Sequence, residues 1–139
     1  MDNILEHLNL IMGFIGAGLG WFLGGLDGFI YMLLTLALVD YITGVMAAIV
    51  QKKLSSSIGF KGIARQVTMF AIVGVANILD KDFLGGHDLL RTGVLFFYLA
   101  NEGLSIMENA IEIGVQVPDA MKEKLLQFKN HNEEKKKKK

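Results

Sequence analysis

The sequence predicts an all-α integral membrane protein with three to four transmembrane helices, followed by a C-terminal amphipathic interfacial helix and a basic tail. Three observations carry this. Apolar residues make up 52% of the 139 and charged residues 20%, the first above and the second below soluble-protein usage. Four apolar segments recur along the chain, the first two near the ~20 residues that a helix needs to cross a ~30 Å hydrocarbon core and the last two shorter. Charge is segregated: Lys122, Lys124, Lys129 and Lys135 to Lys139 crowd the end, so a net charge of zero averages an acidic apolar body with a basic tail. Residues 1–139 form a single membrane domain on this reading.

The second segment, about 28–51, is the strongest span, with Asp40 as its one charge. The first, about 8–26, is uncharged until Asp27 but rich in glycine, which contributes little apolar surface; it either spans or lies in the interface. The third, about 63–80, is short, and to cross it needs snorkelling at Arg65 or local thinning of the bilayer. The fourth, about 89–114, is apolar only to Ala100 and then carries Glu102, Glu108 and Glu112. Pro118 suits the first turn of a helix, and Met121, Leu125 and Phe128 share one face of the stretch 118–130, ringed by Lys122, Lys124 and Lys129. Residues 131–139 form the basic tail.

Lys/Arg bias in short loops sets orientation. Lys52, Lys53, Lys61 and Arg65 lie between the second and third segments, which places that connection (52–65) and the C-terminus in the cytoplasm. These residues and the tail lysines are expected at an anionic lipid surface, each worth about 1 kcal/mol near it. Four spans put the N-terminus inside and three put it outside. The chain does not open like a secretory signal, since Asp2 and Glu6 stand where such a signal is basic.

Three features point to helix contacts. Gly16, Gly20 and Gly24 repeat every four residues, a pattern that lets helix backbones approach closely, either between copies of the chain or within one. Asp40 shares a small, polar face with Ala37, Gly44, Ala47 and Gln51; that face turns either to a neighbouring helix or to a pore. In the fourth segment Asn101, Ser105, Glu108 and Glu112 form a stripe that Tyr98, Glu102 and Asn109 widen. That arc either lines water among several subunits or marks a helix that leaves the membrane near Ala100.

The composition argues against other classes. No Cys is present, His7, His87 and His131 stand apart, and no nucleotide, metal or nucleophile motif occurs, so no enzyme, metal or cofactor is expected. A net acidic body argues against nucleic acid as a partner.

VDYITG (Val39 to Gly44), SSSIGFKGIARQV (Ser55 to Val67) and NEGLSIMENAIEIGVQVP (Asn101 to Pro118) resemble the phage lysis and toxin-secretion holin family, and GGLDG (Gly24 to Gly28) fits its phage members. The likeness covers about residues 20 to 125 in order. It implies a protein of the bacterial host's cytoplasmic membrane that oligomerises and opens timed lesions, through which an endolysin or a large toxin leaves the cell. It implies no cofactor and no catalytic residue. The positions it shares are Asp40, Gly44, Ser56, Gly59, Gly62, Glu102, Ser105, Asn109, Gly114 and Pro118. Two alternatives stand beside it: a small proton or cation channel or transporter, and a non-lytic antiholin. Met12 offers an internal start, but the longer product adds Asp2 and Glu6 rather than positive charge, which argues against a dual-start inhibitor.

Overall fold

The structure is a computed structural model. It describes the backbone of all 139 residues and every side chain except those of Leu125, Phe128, Lys129 and Asn132. Five helices follow in order: α1 (Asp2–Leu23), α2 (Gly28–Val50), α3 (Ser56–Asp82), α4 (Leu89–Ile113) and α5 (Asp119–Lys137). No strand occurs among the described residues. The first three helices are long and apolar enough to cross a membrane. At ~1.5 Å per residue α4 matches them in length, although it carries Arg91, Glu102, Glu108 and Glu112.

Helix bounds differ from the apolar runs at three places. α1 starts at Asp2 rather than near residue 8, because hydropathy marks what lipid accepts and not where a helix begins. It stops at Leu23, where Gly24 takes the left-handed conformation (φ 84°) and its N–H closes the last turn. α3 starts at Ser56, well before residue 63, because the Ser55 hydroxyl accepts the Ile58 N–H at 3.2 Å. α5 continues to Lys137 instead of ending near residue 130. Glu133 stands four residues before Lys137, and a lysine-rich last turn complements the negative end of the helix dipole.

α2, α3 and α4 make the bundle. α2 and α4 run the same way, with Phe29 edge-on to Phe96 at 5.4 Å near their starts and Thr43 beside Asn109 further along. α3 runs opposite to both. Leu33, Met69, Val73, Leu95 and Leu99 fill the space between them. One end of the bundle gathers Asp27, Asp80, Asp82 and Asp88 and is called the acidic end; the other carries Lys52 and Lys53 and is called the basic end. α4 does not leave the bundle near Ala100 but stays against α2 as far as Asn109. Most large apolar side chains on the outside of α1 to α4 are exposed, the surface a lipid-facing bundle requires.

α1 stands apart. Leu23 is its single buried residue, and it is joined to the bundle through its last turn. There the Phe22 ring occupies the space a Cβ on Gly74 would take, and Asn77 Nδ2 donates to the Phe22 carbonyl at 3.0 Å. The glycines once grouped as one stripe therefore separate. Nothing lies near Gly16, Gly20 faces only Leu26, and Gly24 lies outside the helix, pressed against Asn77 and Arg91. For Gly24 the contact is within one subunit.

A Cβ on Gly24 meets both an unfavourable φ and two side chains. Gly24→Ala is expected to lower stability by about 1–3 kcal/mol, read as thermal unfolding of the detergent-solubilised monomer. Gly16→Ala is expected to leave that midpoint unchanged.

Candidate functional site

Asp40 lies halfway along α2 and is 1% exposed. Three donors converge on its carboxylate from the other two bundle helices. Oδ2 accepts from Arg65 Nη2 at 2.5 Å and Gln66 Nε2 at 3.1 Å, both on α3. Oδ1 accepts from Asn109 Nδ2 of α4 at 2.9 Å. That amide also lies 3.1 Å from the Asp40 carbonyl and 3.0 Å from Thr43 Oγ1, so its two protons serve three acceptors. The second proton of Gln66 Nε2 goes to Glu102 Oε2 at 3.1 Å, and Glu102 is itself buried. Both neighbours of Gln66 are carboxyls that need donors, so its amide nitrogen turns to them. Its Oε1 is left buried with no partner among the described residues.

The sequence allows this crossing because the positions opposite long side chains are small. A Cβ on Gly44 would sit 3.5 Å from Asn109 Nδ2, and one on Gly62 would sit 3.1 Å from the Tyr41 ring. Tyr41 thus lies across the Gly59 and Gly62 face of α3. The Arg65 guanidinium bonds Asp40 from the rim, since 59% of its side chain is exposed. Arg65 is therefore more than a membrane-surface charge at the end of a short span: it reaches inward. A cleft of about 660 Å³ opens beside the cluster, bounded by Tyr41, Lys61 and Arg65 toward the basic end and by Tyr98, Asn101 and Ser105 along α4.

The remaining candidates are distributed along the chain. Glu102, Ser105 and Asn109 of the α4 arc face the cleft or its floor, so the arc turns inward within one subunit. Glu108 is half-buried nearer the basic end, and Glu112 is exposed. Lys52 and Lys53 are exposed in the connection after α2, and Lys61 is exposed at the cleft rim. Lys122 and Lys124 are exposed on α5, while the side chain of Lys129, with Leu125 and Phe128 of the proposed apolar face, lies outside the described residues. Ser56, Gly114 and Pro118 mark helix ends: the first residue of α3, the left-handed cap of α4 (φ 106°) and the residue before α5.

A second polar cluster escaped the reading of the sequence. At the acidic end the buried Arg91 donates through Nε to the Leu23 carbonyl at 2.6 Å, through Nη1 to Asp27 at 2.9 Å and through Nη2 to the Gly25 carbonyl at 3.3 Å. Asp80 of α3 caps α4 from outside, accepting from the Leu90 and Arg91 N–H groups at 3.1 and 2.6 Å. Asp27 in turn caps α2 through the Ile30 N–H at 3.0 Å. A lone arginine at the start of an apolar segment, with a G-G-L-D turn elsewhere, was the available signal. Gln66 and Asn77, polar residues inside the third segment, were another.

Two outcomes follow for this clasp. Arg91→Gln strips two carbonyls and the half-exposed Asp27 of a buried donor and is expected to cost about 1–3 kcal/mol in detergent unfolding. Burial alone would raise the Asp27 carboxyl, but the bonds from Arg91 and the Ile30 N–H together hold it below its ordinary value. Its stabilisation is therefore complete above the usual carboxylate range and is lost as pH falls through the lowered value. Asp27→Asn is expected to flatten that part of the acid-unfolding curve.

Residues 17–130 match the bacteriophage holin family. A protein of Listeria innocua with no assigned role is 41% identical over 128 residues, covering 91% of this chain and 90% of its own. One from Clostridium perfringens is 35% identical over 132 residues, covering 95% and 98%. A protein of Bacillus phage phi105 that bears the name probable holin is 36% identical over 104 residues, covering 75% and 76%. No solved structure matches. A chain of apolar, membrane-length helices, matched over most of its length by this family, belongs to the bacteriophage holin family.

Proposed function

We propose that the protein is a holin that oligomerises in the bacterial cytoplasmic membrane and opens timed lesions through which an endolysin, or a secreted toxin, leaves the cell. The basic end faces the cytoplasm, as loops rich in lysine and arginine do, and four spans then put the N-terminus on the same side. The α5 lysines lie on the inner leaflet.

The observation that carries the mechanism is the polar wall at mid-bundle depth. Asp40 and Glu102 are tied within one chain, but Asn101 and Ser105 border a cleft beside them. Polar side chains at that depth are costly against lipid and favourable against water or a polar partner. A subunit of this kind gains by assembling, and an assembly whose clefts face one another has a wall that water can wet.

A small cation or proton pathway is the second reading, favoured by the two carboxyls that meet at Gln66. One experiment separates them: inducible expression in a bacterium while membrane potential and release of an endolysin-sized cytoplasmic reporter are followed. A holin gives abrupt depolarisation after a delay, with the large reporter escaping. A small, selective conductance without reporter release overturns the lesion reading for the channel. Steady growth with intact potential leaves the non-lytic antiholin.

A further inference from the structure

We propose that the cleft beside the Asp40 cluster is the receptor for α1 of a second copy of this chain, so that subunits join head to tail. The proposal rests on the reading above and deepens it by naming the contact through which subunits assemble.

α1 and the cleft are each incomplete. On a helix turning about 100° per residue, Asp2, Glu6, Asn9, Gly13, Gly16 and Gly20 all fall within about 40° of one line. That face is acidic at its start and bare along the rest. Among the described residues nothing lies within 4 Å of where a Cβ on Gly13 or Gly16 would project, and no side-chain bond is made by Asp2 or Glu6. The cleft has the complementary pattern. Among the described residues Lys61 stands unpaired at its rim beside Arg65, and the Asn101 and Ser105 side chains face it further in with no bonding partner.

Depth agrees as well. Phe22 of α1 sits on Gly74 of α3, which fixes a common level. Glu6 lies about 24 Å from that level along α1 and Lys61 about 20 Å along α3, at ~1.5 Å per residue. Both helices end at the acidic end, so in a neighbour set parallel to α3 Glu6 comes within about 5 Å of the level of Lys61. Gly13, about 14 Å from that level, comes near the depth of Gln66 at about 12 Å, whose partner Glu102 adjoins Asn101.

The chain's own α1 does not reach this cleft. It contacts α3 through Gly74 and Asn77, and Gly74 projects about 180° from Arg65 around that helix. The donor helix and the receptor cleft thus lie on opposite sides of α3. Such a heterologous contact repeats: each subunit gives α1 to one neighbour and receives α1 from another, and the array has no built-in limit until it closes.

The chain has no cysteine, so single-cysteine variants in the full-length protein test the contact directly. Glu6→Cys and Lys61→Cys, on chains with different tags, are co-expressed, and the membranes are treated with a short bismaleimide. The expected result is a mixed-tag dimer in yield about tenfold above the control pair Glu6→Cys with Lys81→Cys at the acidic end. A yield no higher than the control overturns the proposal. So does cross-linking of Glu6→Cys only to itself, or cross-linking confined to one chain when both cysteines share it. Charge exchange is the second readout: Glu6→Lys and Lys61→Glu each reduce the fraction of wild-type chain captured as oligomer, and together they restore it. Depolarisation and reporter release are followed in the same cultures. Lesions without the mixed dimer overturn this contact and leave the holin reading; the mixed dimer without lesions upholds the contact and overturns that reading.

Discussion

Asp40 stands midway along the most apolar helix of the chain, where an aspartate costs about 2.5–3.5 kcal/mol to insert. That cost is offset only if donors come to it, and each donor has to come from another helix. Arg65 and Gln66 fix the rotation of α3, and Asn109 fixes the rotation and register of α4. A Cβ on Gly62 would press the Tyr41 ring at 3.1 Å, and one on Gly44 would just touch Asn109 Nδ2 at 3.5 Å, so small residues there suit the close approach of the helices. Apolar packing of Leu33, Val73 and Leu95 is strong but unspecific in a bilayer, where lipid tails compete for the same contacts. The polar cluster therefore sets which arrangement of the three helices is unique.

The acidic end works by the same logic with the sign reversed. Here the buried group is a cation, and Arg91 gathers the two carbonyls and the carboxylate of the α1–α2 turn. Asp80 ties the neighbouring helix start to α3. The two clusters hold α2, α3 and α4 at two depths and leave α1 attached by one end. A rigid three-helix unit with one peripheral helix is suited to assembly, because the peripheral helix is free to meet a neighbour while the unit keeps its shape.

Much of this was legible in the residues. Apolar length gave the helices, and the isolated charge at Asp40 marked a contact position without showing whose side chains it met. Hydropathy placed helix ends poorly, since Ser55 and Gly24 end or begin helices through hydrogen bonds that a hydropathy profile does not register. Arg65 read as a surface charge because a sequence shows its position near the end of an apolar run, not the inward reach of a long side chain. Arg91, Asp27 and Asp80 were missed for a related reason: residues separated by 64 and 11 positions act together only once the fold brings two helix ends side by side. In the α4 arc, Glu102 and Asn109 meet partners within the chain, while Asn101 and Ser105 border the cleft.

The central claim is that Asp40 and Asn109 act as one interaction holding α2 to α4. A double-mutant cycle tests it, with Asp40→Ala, Asn109→Ala and the double variant unfolded reversibly in detergent. The account predicts a coupling energy of about 0.5–3 kcal/mol, the double variant losing less than the sum of the single ones. Strict additivity would contradict it, and would mean that the two residues contribute separately and that apolar packing alone sets the bundle.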